Sequence, residues 1–125
     1  MARTTDQLAR LNARFSAVSE NVRQAVMPAL DQGADQLVTA AKHLAPEDDG
    51  DLKDSIRKED GEHPLQRVVK AGDDQAFYAM FVEHGTVAKR AQPFMFPAYR
   101  LHRKQIENRI KRAIGKAIKA EWNRP

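Results

Sequence analysis

Apolar residues recur at steps of three and four along the first part of the chain. Leu8, Leu11, Phe15, Val18, Val22 and Val26 form one stripe, the mark of an amphipathic helix. Thr4 and Gln7 have capping-box spacing, so the helix is predicted to start there. Pro28 lacks the amide that the preceding turn needs, so the helix must kink or restart. Leu30, Ala34, Leu37, Val38, Ala41 and Leu44 continue the stripe, and Ala45-Pro46 ends it. Beyond it, residues 47–51 read as an acidic loop around Gly50. Leu52 to Ile56 is a helical turn or the start of a strand, and Gly61 to Pro64 is a turn. Val68 and Val69 predict a strand, closed by Gly72-Asp73-Asp74. Phe77 to Val82 is aromatic and β-compatible and predicts a second strand, so the two should form a hairpin. Residues 84–93 form a loop, and Pro97 opens a last helix at a position that tolerates proline. Its apolar face is Leu101, Ile106, Ile110, Ala113, Ile114, Ala117, Ile118 and Trp122.

The predicted fold is α+β: a long kinked N-terminal helix, a small antiparallel sheet of two to four strands, and a long C-terminal helix. The 125 residues suit a single domain. Two strands alone are not stable in water. A third strand over residues 55–60, helix cover or a neighbouring subunit is needed.

Charge adds a polarity to this picture. The formal net charge is only +4. Residues 47–62 nevertheless hold eight acids against three bases, and residues 99–125 nine bases against two acids. Such segregation suits head-to-tail contact between copies, and a basic helix also suits DNA phosphates. Two solvated faces are the plainer alternative. With no cysteine, disulfides, thiolate metal sites and cysteine nucleophiles are excluded. The polar start has no signal-peptide core, and no run of about 18 apolar residues exists, so the expected setting is a cytoplasm or something assembled in one.

A search for reactive chemistry returns little. His43, His63, His84 and His102 have no zinc-site spacing. Glu83 and His84 are adjacent, and neighbours on a strand would face opposite ways. Counting back from Gly50 in an EF-hand register lands on Ala45, which cannot ligate calcium. Ser55 has no glycine elbow, and no phosphate-cradling loop is present. Trp122 falls in the apolar stripe and is expected to pack in the core, or else at an interface, rather than stack on bases. No cofactor and no enzymatic activity are expected.

Three stretches carry a resemblance. They are Ala41-Lys42-His43-Leu44-Ala45-Pro46-Glu47-Asp48-Asp49-Gly50-Asp51-Leu52-Lys53-Asp54-Ser55-Ile56, Tyr78-Ala79-Met80-Phe81-Val82-Glu83-His84-Gly85-Thr86, and Ala91-Gln92-Pro93-Phe94-Met95-Phe96-Pro97-Ala98. In this order and spacing, over about residues 37–99, the chain resembles phage head–tail joining and tail-completion proteins. Asp49 departs from the threonine more usual before the glycine.

The resemblance implies a structural virion protein of the neck or upper tail, assembled in the bacterial host cytoplasm. It would form a ring, six-fold, that joins or completes the tail at the head connector and lets DNA pass through its lumen. Its partners would be its own copies and neighbouring neck, connector or tail-tube proteins. The candidate subunit-interface residues are Glu83, Gly85, Thr86, Lys89, Arg90, Pro93, Phe94, Lys111 and Arg112. Glu83 is placed at a sheet edge, where Lys89 and Arg90 of a neighbour could meet it, and Gly50 can take a positive φ that closes the turn after the first helix. The alternative is a small DNA-binding protein using the basic C-terminal helix.

Overall fold

The computed structural model describes residues 2–46, 50–73, 76 and 78–123, with the backbone alone at residues 2–4 and 15. The acids Glu47, Asp48 and Asp49, together with Asp74, Phe77 and Arg124, lie outside the described residues, as do the side chains of Thr4 and Phe15. The fold is α+β, with helix α1 (Ala2–Leu44), helix α2 (Gly50–Ser55), strands β1 (Arg57–Asp60) and β2 (Arg67–Lys70), helix α3 (Ala79–His84) and helix α4 (Met95–Trp122).

The α1 helix runs unbroken through Pro28, which kinks it without ending it. The proline leaves the Gln24 carbonyl without its helical donor. Packing against α4 offsets that loss. Val26 and Ala29, on either side of the proline, are both buried. The two helices lie antiparallel, with Gly33 against Ile106 and Gln36 bonded to His102 and Gln105. A Cβ on Gly33 would sit 2.7 Å from the Ile106 side chain, so this glycine sets how closely the helices approach.

The sheet is a hairpin, but not the predicted one. Strands β1 and β2 pair antiparallel, from Arg57 opposite Lys70 to Asp60 opposite Arg67. The third strand expected over 55–60 is therefore the true partner of Val68 and Val69. The segment after Phe77 is helical. Ala79 is buried and Val82 half-buried, while Met80 and Phe81 face solvent. Inward positions three apart fit a helical turn, not the two-residue alternation of a strand.

The main core lies where the C-terminal end of α1 meets the start of α4. Ala41, Ala45, Leu52, Ile56, Ala79, Phe94 and Ala98 form it, with Val38, Val69, Tyr78, Val82 and Met95 packed around them. Alanines on both long helices leave room for Phe94 and Leu52, which are almost wholly enclosed. Leu52 and Ile56 belong to one cluster, and the first of them sits on helix α2. Gly50 opens that helix and does not take a positive φ, which among the described residues belongs to Gly72 and Gly85.

Three further expectations are corrected. α4 begins at Met95, two residues before Pro97, which sits in the first turn where amides have no helical partner anyway. Leu101 leaves the buried stripe and is 71% exposed. Trp122 is not core: it is 47% exposed, with the Arg14 guanidinium 4.1 Å above its ring.

Candidate functional site

The candidate site centres on the link between α3 and α4. Tyr78 to His84 forms less than two helical turns, and Gly85 ends them at φ 80°. Its amide donates to the Phe81 carbonyl at 2.7 Å. A Cβ at Gly85 would lie 2.7 Å from the Ala91 nitrogen, so both conformation and space require glycine.

A short turn follows. The Thr86 amide donates to the Lys89 carbonyl at 2.9 Å. The Thr86 hydroxyl accepts from the amides of Ala88 at 3.3 Å and Lys89 at 3.1 Å. The Gln92 amide then closes on the Val82 carbonyl at 2.8 Å. This bonded frame holds Val87 at its tip with a relative exposure of 111%, more than an ordinary reference residue shows. Lys89 and Arg90 are also exposed, and with Thr86, Tyr78, Phe81 and Pro46 they border an open groove of about 520 Å³.

Glu83 anchors the loop. Its carboxylate accepts from three successive amides at the start of α4: Phe94 at 2.7 Å, Met95 at 3.0 Å and Phe96 at 2.8 Å. These amides have no partner inside their own helix, and the positive end of the helix dipole favours an anion there. Burial pushes the Glu83 carboxyl up. The amides of Phe94, Phe96 and Met95, helped by His84, outweigh that effect and hold it below the ordinary value. Sequence reasoning had put this carboxylate on a sheet edge. The structure places it on a helix and ties it within its own chain, eleven to thirteen residues downstream.

The remaining candidates fall into two groups. Phe94 is core, Gly85 shapes the loop, and Pro93 is exposed at the loop's end, two residues before α4. Thr86, Lys89 and Arg90 face outward on it, while Lys111 and Arg112 are exposed on α4, well along the helix. Two groups that sequence did not reveal also fix this end. Ser55 is buried, donates to the Leu52 carbonyl at 2.6 Å and accepts from the Gly72 amide at 2.9 Å. It is a structural tie between α2 and the exit of β2. Arg67 pairs with Asp31 at 2.7 Å, fastening the sheet to α1.

The acids of β1 are paired inside the chain, and a lysine of β1 reaches α1. Glu59 meets Arg57 and Lys70, both at 2.9 Å, and Asp60 meets Arg67 at 3.7 Å. Lys58 bridges Asp35 at 3.0 Å and Asp31 at 3.6 Å. Among the described residues no group of three or more His, Asp or Glu side chains could hold a metal, and no helix is long and apolar enough to cross a membrane.

Comparison with known proteins finds one family. Its model, described as a bacteriophage HK97-gp10 tail component, matches residues 9–85. That stretch runs from the first turns of α1 through Gly85 and stops before α4. No curated protein and no solved structure matches the chain.

Proposed function

The chain belongs to the HK97-gp10-like family of bacteriophage tail components, and from this premise we propose that it forms a ring, six-fold, in the neck or upper tail. The ring completes the tail at the head connector, lets DNA pass through its lumen, and assembles in the bacterial host cytoplasm. Family membership makes the chain a non-enzymatic structural component.

The observation that carries the reading is the outer surface of the 84–93 loop. It is hydrogen-bonded into one shape, yet displays Val87 fully to solvent, with Met80 and Phe81 exposed on the adjoining helix. A locked apolar tip loses little conformational freedom when it docks, so more of its burial energy is available for association. Thr86, Lys89 and Arg90 line the contact with a neighbouring subunit, while Glu83, Gly85, Pro93 and Phe94 hold its shape.

Cryo-EM of particles together with native mass spectrometry of the purified chain tests this. A closed ring at the head–tail junction is expected in particles, and a monomer in free solution is compatible with templated assembly. A chain that is absent from the particle, or present there as a single copy, overturns the reading.

A further inference from the structure

We propose that the exposed basic face of α4 binds the phosphate backbone of double-stranded DNA without regard to sequence. This deepens the reading above by naming the surface that meets the DNA. It rests on a part of the chain outside the stretch matched by the family.

The argument starts from helical geometry. At about 100° per residue, Arg100, Lys104, Lys111, Arg112 and Lys119 fall within an arc of about 120°, and Lys116 flanks it. All six are exposed. From Arg100 to Lys119 the strip is roughly 29 Å long at 1.5 Å per residue. A duplex carries one negative charge per about 1.7 Å of axis, so a strip of this length faces many phosphates. No acid falls in the arc. Glu107 lies just outside it, 3.9 Å from Arg103, and Glu121 turns towards α1, where Asn21 donates to it.

Gly115 points along the middle of the arc. A glycine inside a helix weakens it, and usually a close internal contact explains one. Gly33 has such a contact, with Ile106. At Gly115 a Cβ would meet nothing within 4 Å, so packing within the chain does not call for glycine there. Its missing side chain leaves a flat spot between Lys111, Arg112, Lys116 and Lys119, where a phosphate chain can approach the helix backbone.

Two observations choose the partner. A second copy's β1 is a poor match, because Glu59 and Asp60 are already paired inside each chain. Single-stranded nucleic acid needs stacking platforms, whereas Trp122, the arc's aromatic residue, has Arg14 over its ring. A run of exposed bases that is poor in free aromatic faces suits the duplex backbone.

The test is fluorescence anisotropy of the full chain with labelled 30-base-pair duplexes between 50 and 200 mM salt. About five phosphate contacts predict a log–log salt slope of roughly −4.5, and two unrelated duplexes should bind within about twofold. Lys111→Glu with Arg112→Glu should lower affinity about tenfold or more at 50 mM salt and flatten the slope by roughly two. Gly115→Leu keeps every charge and adds bulk to the flat spot; it should weaken binding about threefold or more while the chain stays folded by circular dichroism. If the charge reversal unfolds the chain, Lys111→Gln with Arg112→Gln reads the same slope. Three results overturn the proposal: no binding of wild-type chain at 50 mM salt, equal binding by the charge variants, or displacement of duplex by poly-aspartate at equal or lower charge concentration. The last would assign the face to an acidic protein. Ring formation is scored separately in particles, so this proposal and the ring reading can fail independently.

Discussion

Replacing Glu83 with glutamine tests whether a charged cap holds the loop end together. Glutamine preserves the shape but removes the charge, and it turns an NH2 group towards amides that can only donate. Three amides, at 2.7, 3.0 and 2.8 Å, lose an anionic acceptor together. Hydrogen bonds to charged groups contribute about 1.5–3 kcal/mol, and the three share one carboxylate, so the whole loss is set at about 1.5–3 kcal/mol. For a chain of this size that is roughly 5–12 °C in Tm. Urea unfolding at a series of pH values measures it. The folded carboxyl lies below its ordinary value of 4.5, so its contribution is complete above that value. It fades as pH falls through 4.5 towards the folded value. The gap between wild type and Glu83→Gln should therefore be widest near pH 7 and narrow as pH drops below about 4.5. A gap under about 0.5 kcal/mol at pH 7, or one equally wide at pH 3.5, refutes the charged-cap account.

Other substitutions separate shape from contact. Gly85→Ala meets both a positive φ and a backbone atom 2.7 Å away, so urea unfolding should show a loss of about 2 kcal/mol or more. Val87→Asp touches nothing that holds the fold, so melting should stay within about 1–2 °C while incorporation into particles falls sharply. Trp122→Ala removes a half-exposed ring capped by Arg14 and should cost under about 1.5 kcal/mol by chemical denaturation, well below a core aromatic truncation. Phe94→Ala provides that comparison, with an expected loss of about 3–5 kcal/mol.

The two long helices are legible in the sequence because their apolar repeats persist over many turns. Pro28 and the glycines do not outweigh that signal. The segment around Tyr78 to Val82 was not legible. Its aromatic and β-branched residues favour a strand, and five residues are too few for their own period to decide. Tertiary packing decides instead, turning Ala79 and Val82 inward together. Once that segment is a helix, β2 must pair with β1, and the misplaced hairpin follows from the same error. The end of α4 failed for another reason. Periodicity says which face is apolar, not how far the partner helix covers it, so Trp122 read as core and is exposed, whereas Leu101, near the start of α4 and about 140° round the helix from Ile106, stands off that face altogether. The interface candidates were found as a loop, but Glu83's partners were invisible. A carboxylate that caps a helix starting twelve residues later leaves no local spacing signature, whereas the capping box it replaces would have left one.

The polar contacts are unevenly distributed, and their distribution matches the proposed division of labour. Ser55, Arg57, Arg67 and Glu83 tie α2, the sheet, α1 and the loop into one end of the molecule, where most of the core also lies. The opposite end is sparse. Arg14 and Asn21 of α1 bond to Trp122 and Glu121 at the finish of α4. Beyond that clasp, residues 5–13 of α1 are all exposed, Leu8 and Leu11 among them. A lone helical stretch of this length is marginal in water, so its order depends on the longer helix it extends. A contact made through the loop end starts from a surface that is already fixed. One made through the start of α1 must supply ordering free energy as well as binding free energy. For that reason the loop, with Val87 at its tip, is the better candidate for the contact that sets the geometry of the proposed ring, even though α1 also exposes Leu8 and Leu11.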